Sequence, residues 1–299
     1  MLGAAAVAFL VLTVVDQWSK VQDAVSHANV ALLALGLVLA LASMAHLGAL
    51  WSGALGLCGR REPRLKTVVW WFVGELGKYV PGGVLSVVGR AEVANRAGVR
   101  RPAAYGSVGL SLALRYLAAV FAFAVLLPFD LAHQGSVAAA VVLVLVPAGL
   151  LALHPKVVGW VLERGRRLTG RDIDLPVPSW RDAVLEVLVY VPNWVLIIAS
   201  TWCAARALTG DVDLLRVALA TLLSWTIGFV VFPVPAGAGL REVVFTAAAG
   251  LPAGVAVTVA VTSRLLFVVA DGLGAAASLP LLRRQRSTSD RIIPEELSP

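Results

Sequence analysis

Residues 67–92 read TVVWWFVGELGKYVPGGVLSVVGRAE. From Thr67 to Val88 this stretch is apolar enough to enter a bilayer, yet basic residues flank it on both sides. Arg60, Arg61, Arg64 and Lys66 precede it; Arg90, Arg96, Arg100 and Arg101 follow it. Short loops rich in Lys and Arg stay in the cytoplasm. A segment with both ends on one side of the membrane cannot cross once, so it must enter and return. Tyr79-Val80-Pro81-Gly82-Gly83 supplies the place to turn: Pro81 lacks a backbone donor, and the two glycines reach dihedrals closed to other residues. Non-helical backbone at that depth is tolerated only where protein buries it or where it lines a wet cavity.

The composition agrees with a membrane setting. Of 299 residues, 59% are hydrophobic and 14% are charged, against about 25% charged in soluble domains. Mean hydropathy is +0.84, which leaves too little polar surface to wrap a core of this size in water. The net charge of +7 and pI near 10.0 would suggest nucleic acid in a soluble protein. Here the surplus sits in short loops between apolar runs, so topology accounts for it first. Cys58 and Cys203 exclude a disulfide scaffold and a cysteine zinc cluster; His27, His46, His133 and His154 are too scattered for a metal site.

Apolar runs cover residues 1–15, 28–51, 67–88, 103–129, 136–154, 183–205, 213–232 and 240–282, the last broken at Gly250-Leu251-Pro252. Most approach the length of about 20 residues that a spanning helix needs. The first lacks the basic n-region of a signal peptide and reads as a retained span. Lys156, Arg164, Arg166, Arg167, Arg171 and Arg181 in the central loop, and Arg283, Arg284 and Arg286 after the last run, mark further cytoplasmic segments. The segments 16–23, 130–135 and 206–213 carry little positive excess and read as external. The expectation is an all-α polytopic protein of the cell membrane with its C-terminus in the cytoplasm. It has about seven spanning helices and one or two re-entrant hairpins broken by Pro and Gly. One transmembrane domain covers 1–286, and a short polar tail covers 287–299.

A second break lies far along the chain, at Phe232-Pro233-Val234-Pro235-Ala236-Gly237-Ala238-Gly239-Leu240-Arg241-Glu242. Like Pro81-Gly82-Gly83 with Gly89-Arg90-Ala91-Glu92, it runs from Pro through small residues to Gly, Arg and an acid. Interrupted hydrophobic segments in corresponding halves point to a transporter site built on an internal repeat, which would here be inverted. Helix kinks in an ordinary bundle are the other reading, and the second break reads equally as re-entrant or as a kinked span.

The run Gly77-Lys78-Tyr79-Val80-Pro81-Gly82-Gly83 through Gly89-Arg90 to Arg96-Ala97-Gly98-Val99, followed by the second break, resembles the transmembrane, flippase-like domain of lysylphosphatidylglycerol synthases. The resemblance covers nearly the whole chain. Ala236 stands where the family pattern has the first glycine of Pro-Gly-Gly-x-Gly. The resemblance implies a polytopic fold whose relatives move aminoacylated phosphatidylglycerol between leaflets. The chain ends soon after its last apolar run, so no aminoacyl-transferase domain is expected and the reading is not an enzyme.

An ion at the centre of a spanning helix costs about 2.5–3.5 kcal/mol on insertion scales, so each needs a reason. The substrate-contacting set is Lys78, Tyr79, Pro81, Gly82, Gly83 and Arg90 at the first break, with Pro235, Gly237, Gly239, Arg241 and Glu242 at the second. Glu75 and Lys78 are spaced to pair along a helix. Arg90, with free N–H groups near Gly82 and Gly83, reads as a phosphate site or as a side chain snorkelling to the interface; Arg96 reads as snorkelling. Supporting charges are Glu75, Arg115, Glu186, Arg264 and Asp271, and Arg115 is expected to pair with Glu242 or Asp271 across helices. Glu186, Tyr190 and Asn193 form a polar stripe, either a cavity wall or inter-helix hydrogen bonding. The tryptophans Trp70, Trp71, Trp160, Trp180, Trp194, Trp202 and Trp225 read as aromatic belts, and 156–171 as an amphipathic helix on the inner leaflet.

The function expected is a flippase-like translocator passing an anionic phospholipid, glycolipid or polyprenyl-phosphate headgroup through a polar groove. It needs no cofactor, and no Walker loop for ATP is present. The alternatives are a transferase acting on a lipid-linked substrate, with Asp172/Asp174 or Asp211/Asp213 holding a metal, and a non-transporting partner of a lipid-modifying enzyme.

Overall fold

The computed structural model describes residues 28–79, 85–134, 147–149, 151–169, 176–230 and 239–290. Several expectations fall outside them: the span at 1–15, most of the run at 136–154, the turn residues Pro81, Gly82 and Gly83, the residues Pro235 and Gly237, and the pair Asp172/Asp174. Among the described residues every regular element is a helix. They are α1 (Val30–Leu57), α2 (Arg64–Glu75), a 3-10 turn (Leu76–Tyr79), α3 (Leu85–Arg96) and α4 (Arg101–Gln134). After these come α5 (Pro155–Thr169), α6 (Trp180–Thr209), α7 (Leu214–Val230), α8 (Leu240–Ala248) and α9 (Ala253–Asp290).

Four stretches are long and apolar enough to cross a membrane: Val30–Leu57, Arg101–Phe129, Trp180–Thr209 and Ala253–Leu282. Their outward faces carry large apolar side chains such as Val38, Val125, Val195 and Leu273, which suit lipid. Asn29 caps α1 by accepting from Leu32 N at 3.2 Å, and Ser179 caps α6 by accepting from Asp182 N at 3.2 Å. α1 and α6 pack closely because small residues face each other. A Cβ at Gly36 would lie 3.3 Å from Ser200 O, and Ser200 Oγ donates to Gly36 O at 2.8 Å.

The run at 67–88 is not a single helix. α2 and the 3-10 turn go one way and α3 returns alongside, with Gly74 against Arg90 and Gly77 against Leu85. The contact residues rise along one arm as they fall along the other, so the arms are antiparallel. Only glycine allows this approach: a Cβ at Gly74 would sit 2.7 Å from Arg90 Cα. The run at 213–232 behaves alike. α7 has 17 residues, shorter than a usual span, and packs antiparallel to α8, with Gly228 against Arg241 and Arg216 against Gly250.

The helix contacts then repeat. α1, the hairpin α2–α3 and α4 correspond to α6, the hairpin α7–α8 and α9. α9 packs on α1 as α4 packs on α6; α2 packs on α9 as α7 packs on α4; α3 packs on α4 as α8 packs on α9. The correspondence extends to side chains. Trp71 and Gly74 precede Pro81 at the same spacing as Trp225 and Gly228 precede Pro235. α5 lies between the two sets and is an amphipathic helix with Arg166 and Arg167 in its last turn and Trp160 exposed.

Candidate functional site

Arg115 lies midway along the apolar stretch of α4, and Arg264 and Asp271 straddle the middle of α9. The hairpins bring their own charges to these helices. Lys78 Nζ reaches Asp271 Oδ2 at 2.6 Å and Glu75 at 3.8 Å, and Tyr79 donates its hydroxyl to the same Asp271 oxygen at 2.6 Å. Asp271 is wholly buried. The turn Leu76–Tyr79 of the first hairpin is thus fastened to α9 through one carboxylate. At the second hairpin, Arg264 donates to Glu242 Oε1 at 2.9 Å, so α8 is tied to α9 as well.

Arg90 is almost completely buried, stacked over Trp71 at 4.3 Å, with Nη1 3.8 Å from Glu75, an ion pair beyond hydrogen-bond reach. Arg241 stacks on Trp225 at 3.8 Å. Arg115 stands among three rings, 5.1 Å from Trp225 and 5.7 Å from Tyr116 and Trp194. Trp194 donates to the Arg115 carbonyl at 2.9 Å, which holds that turn of α4 against α6.

The expected pairing of Arg115 with Glu242 or Asp271 does not occur. Those carboxylates are engaged by Arg264 and Lys78, which approach from within the same helix pair and from the hairpin tip. The reading of the tryptophans as interfacial belts also needs correction. Trp160 and Trp180 are exposed, but Trp71, Trp194 and Trp225 are buried beside arginines. An aromatic face attracts a guanidinium where no water is available to solvate it. The Trp-x-x-Gly repeat ahead of each proline was the sequence signal for this arrangement.

The polar stripe on α6 divides. Tyr190 and Asn193 are buried; His46 and Asn193 are hydrogen-bonded at 3.3 Å between α1 and α6. Glu186 sits apart from the central charges, packed over Gly53 of α1 toward Arg61 and Arg64. Gly239 begins α8 with φ at +83°, and Arg96 makes an exposed pair with Glu92 at 3.1 Å. Asp213 caps α7 by accepting from Leu215 N at 2.8 Å, while Asp211 is fully exposed.

Buried polar atoms without a hydrogen-bond partner concentrate around this centre: Arg90 Nη1, Arg115 Nε and Nη2, Tyr190 Oη, Glu242 Oε2 and Asp271 Oδ1. Such orphans are costly in a closed core and call for a water or a ligand. A small cleft of about 20 Å³, room for about one water, opens at the second hairpin, lined by Arg241, Glu242, Arg264, Trp225 and hydroxyls of α6, α7 and α9. Near the α1 C-terminus a separate cavity touches Cys58, Arg60 and Arg100; burial pushes the Cys58 thiol up to about 11. Among the described residues no group of three or more His, Cys, Asp or Glu could hold a metal.

A family model described as the lysylphosphatidylglycerol synthase TM region matches residues 1–275. No curated protein matches.

Proposed function

Since the chain belongs to the lysylphosphatidylglycerol synthase transmembrane family, we propose that it is a lipid translocator, carrying an anionic headgroup between leaflets while the acyl chains stay in hydrocarbon. The observation that carries this reading is the central charge cluster. Among the described residues Lys78, Arg90 and Arg264 pair with Glu75, Glu242 and Asp271, while Arg115 and Arg241 have no carboxylate partner. Arg115, Arg264 and Asp271 lie near the middle of the apolar stretches of α4 and α9. A net positive interior with orphaned polar atoms suits a negatively charged headgroup and repels cations.

The hairpins supply the path. Basic loops put both ends of α2–α3 in the cytoplasm, and the charge-poor segment before α7 and the turn after α8 put both ends of α7–α8 outside. The two hairpins then dip into the membrane from opposite faces, and the four-helix sets form an inverted repeat. In such folds the substrate sits at the midplane between broken elements. Each leaflet thus meets one hairpin, and the charged centre lies between them.

The test is reconstitution of the full chain into liposomes carrying head-labelled phosphatidylglycerol, with a membrane-impermeant quencher added outside. Protein should make nearly all the label accessible within minutes, whereas protein-free vesicles keep about half protected by geometry. Identical traces with and without protein, for phosphatidylglycerol and for anionic lipids generally, would remove the proposal.

A further inference from the structure

Pro155–Thr169 forms α5, a helix of 15 residues that packs closely on no other described helix. A helix of that length is marginal in water by itself, so a surface must cover one of its faces. Its start is fixed. His154 Nδ1 accepts from Lys156 N at 3.3 Å, and the His154 ring lies 6.4 Å from that of Trp180, the first residue of α6. Trp180 opens an apolar stretch long enough to cross a membrane. α5 therefore leaves the body of the protein at the level where that stretch begins.

Val157, Trp160, Val161 and Arg164 follow at i, i+3, i+4 and i+7, which places them along one side of the helix. All four are exposed, Trp160 by 63%. Val158 and Leu162, turned further round, are half-buried. The opposite side carries Glu163, whose carboxylate lies 3.0 Å from Arg167 and 3.8 Å from Arg166. Four basic residues, Lys156, Arg164, Arg166 and Arg167, stand against this single acid of the helix. A tryptophan settles at the level of lipid headgroups, and Lys and Arg beside it can lay their stems on apolar surface while the charge stays in the polar layer. An apolar strip of this narrow width gains little by burial alone, so the basic residues must contribute to holding it down. The excess of Lys and Arg puts the segment on the cytoplasmic side.

We propose that α5 docks on anionic lipid of the cytoplasmic leaflet, with Val157, Trp160 and Val161 sunk at the headgroup boundary and Lys156 and Arg164 against the lipid phosphates. The partner is the charged surface of the bilayer, so the proposal stands whether or not the protein moves lipid. Because α5 joins the two sets of helices, docking attaches the molecule to the inner leaflet between its halves. The strength of that attachment follows the surface charge and weakens with salt.

The test reconstitutes the full chain into vesicles of phosphatidylcholine alone and of phosphatidylcholine with phosphatidylglycerol, and follows amide hydrogen exchange along α5. Exchange should be about tenfold or more slower in the anionic vesicles, and high salt should remove most of the difference. The double variant Lys156→Gln with Arg164→Gln should lose most of this protection. Arg206→Gln, in the last turn of α6, should behave as the wild type. Equal exchange in the two kinds of vesicle overturns the proposal, whether α5 is bare in both or covered in both by a second copy of the chain. Protection that survives intact in the double variant overturns it as well. Brominated phosphatidylglycerol then identifies the inserted face by quenching tryptophan fluorescence. With Trp160 at the lipid boundary, Trp160→Phe lowers the fraction of the signal that is quenched. With Trp160 in water the same substitution raises that fraction, and α5 does not dock as proposed.

Discussion

The two hairpins share a plan and differ in how their charges are used. In α2–α3 the cations are answered: Lys78 by Asp271 and Glu75, Arg90 by Glu75, with Tyr79 adding a second hydrogen bond to Asp271. At α7–α8, Glu242 answers Arg264 of α9, while Arg241 and Arg115 each lie against Trp225 with no carboxylate partner among the described residues. The glycines differ too. Gly74 is pressed against the backbone of Arg90, whereas Gly228 meets only the flexible side chain of Arg241. The first hairpin is therefore the more tightly fastened, and the second keeps its charge available. A repeat can hold two halves in one fold while divergence at a few positions gives them separate duties.

The largest test of that difference is at the carboxylates. Asp271→Asn leaves Lys78 without its close partner at a fully buried position of α9 and should cost about 3–5 kcal/mol, read as a lowered melting temperature and poor yield in detergent. Glu242→Gln strips Arg264 of its partner at the rim of the cleft, where water reaches, and should cost clearly less. Equal losses would break the contrast. Next come the glycines. Gly74→Ala forces the hairpin arms apart and should destabilise by about 1–3 kcal/mol. Gly228→Ala should be milder for melting but should weaken phosphatidylglycerol binding by displacing Arg241.

Tyr79→Phe removes one hydrogen bond to a buried carboxylate, a loss of about 1.5–3 kcal/mol that denaturant melting would register. Lys78 still holds Asp271, so the variant should remain folded. The smallest effect is expected at the indoles. Trp225→Phe keeps a ring but offers a weaker face, and should cost about 0.5–2 kcal/mol in binding. Trp71→Phe should leave lipid affinity nearly unaltered, because Glu75 still answers Arg90. A binding loss at Trp71 equal to that at Trp225 would mean that both hairpins handle the ligand alike.

Much of the fold was legible before any coordinates. The four long apolar stretches follow from hydropathy, and the antiparallel packing of α2 with α3 and of α7 with α8 agrees with the Pro and Gly placement between them. Most ions that gather at the centre were identifiable as charges inside apolar runs; Arg90 was counted with the basic flank of its run and is instead buried. The partners of these ions were not legible, and Arg115 was matched with acids that Arg264 and Lys78 occupy. Helical spacing predicts neighbours within one element, but pairing between elements depends on depth and rotation, which no local pattern encodes. Trp71 and Trp225 were misread for the same reason: an aromatic near a run's end resembles an interfacial anchor until the hairpin folds it inward beside an arginine.

By itself, the sequence determined that this chain is a membrane protein, where Pro and Gly interrupt its apolar runs, and which ions lie within or beside those runs. These are consequences of transfer free energies and backbone stereochemistry, and both act residue by residue. Tertiary structure alone decided which cations are neutralised and which have no carboxylate partner among the described residues. That outcome depends on distances of a few ångströms between residues as much as 193 positions apart, Lys78 and Asp271 among them. In a medium with little water to screen them, such distances set whether a charge is paired or free.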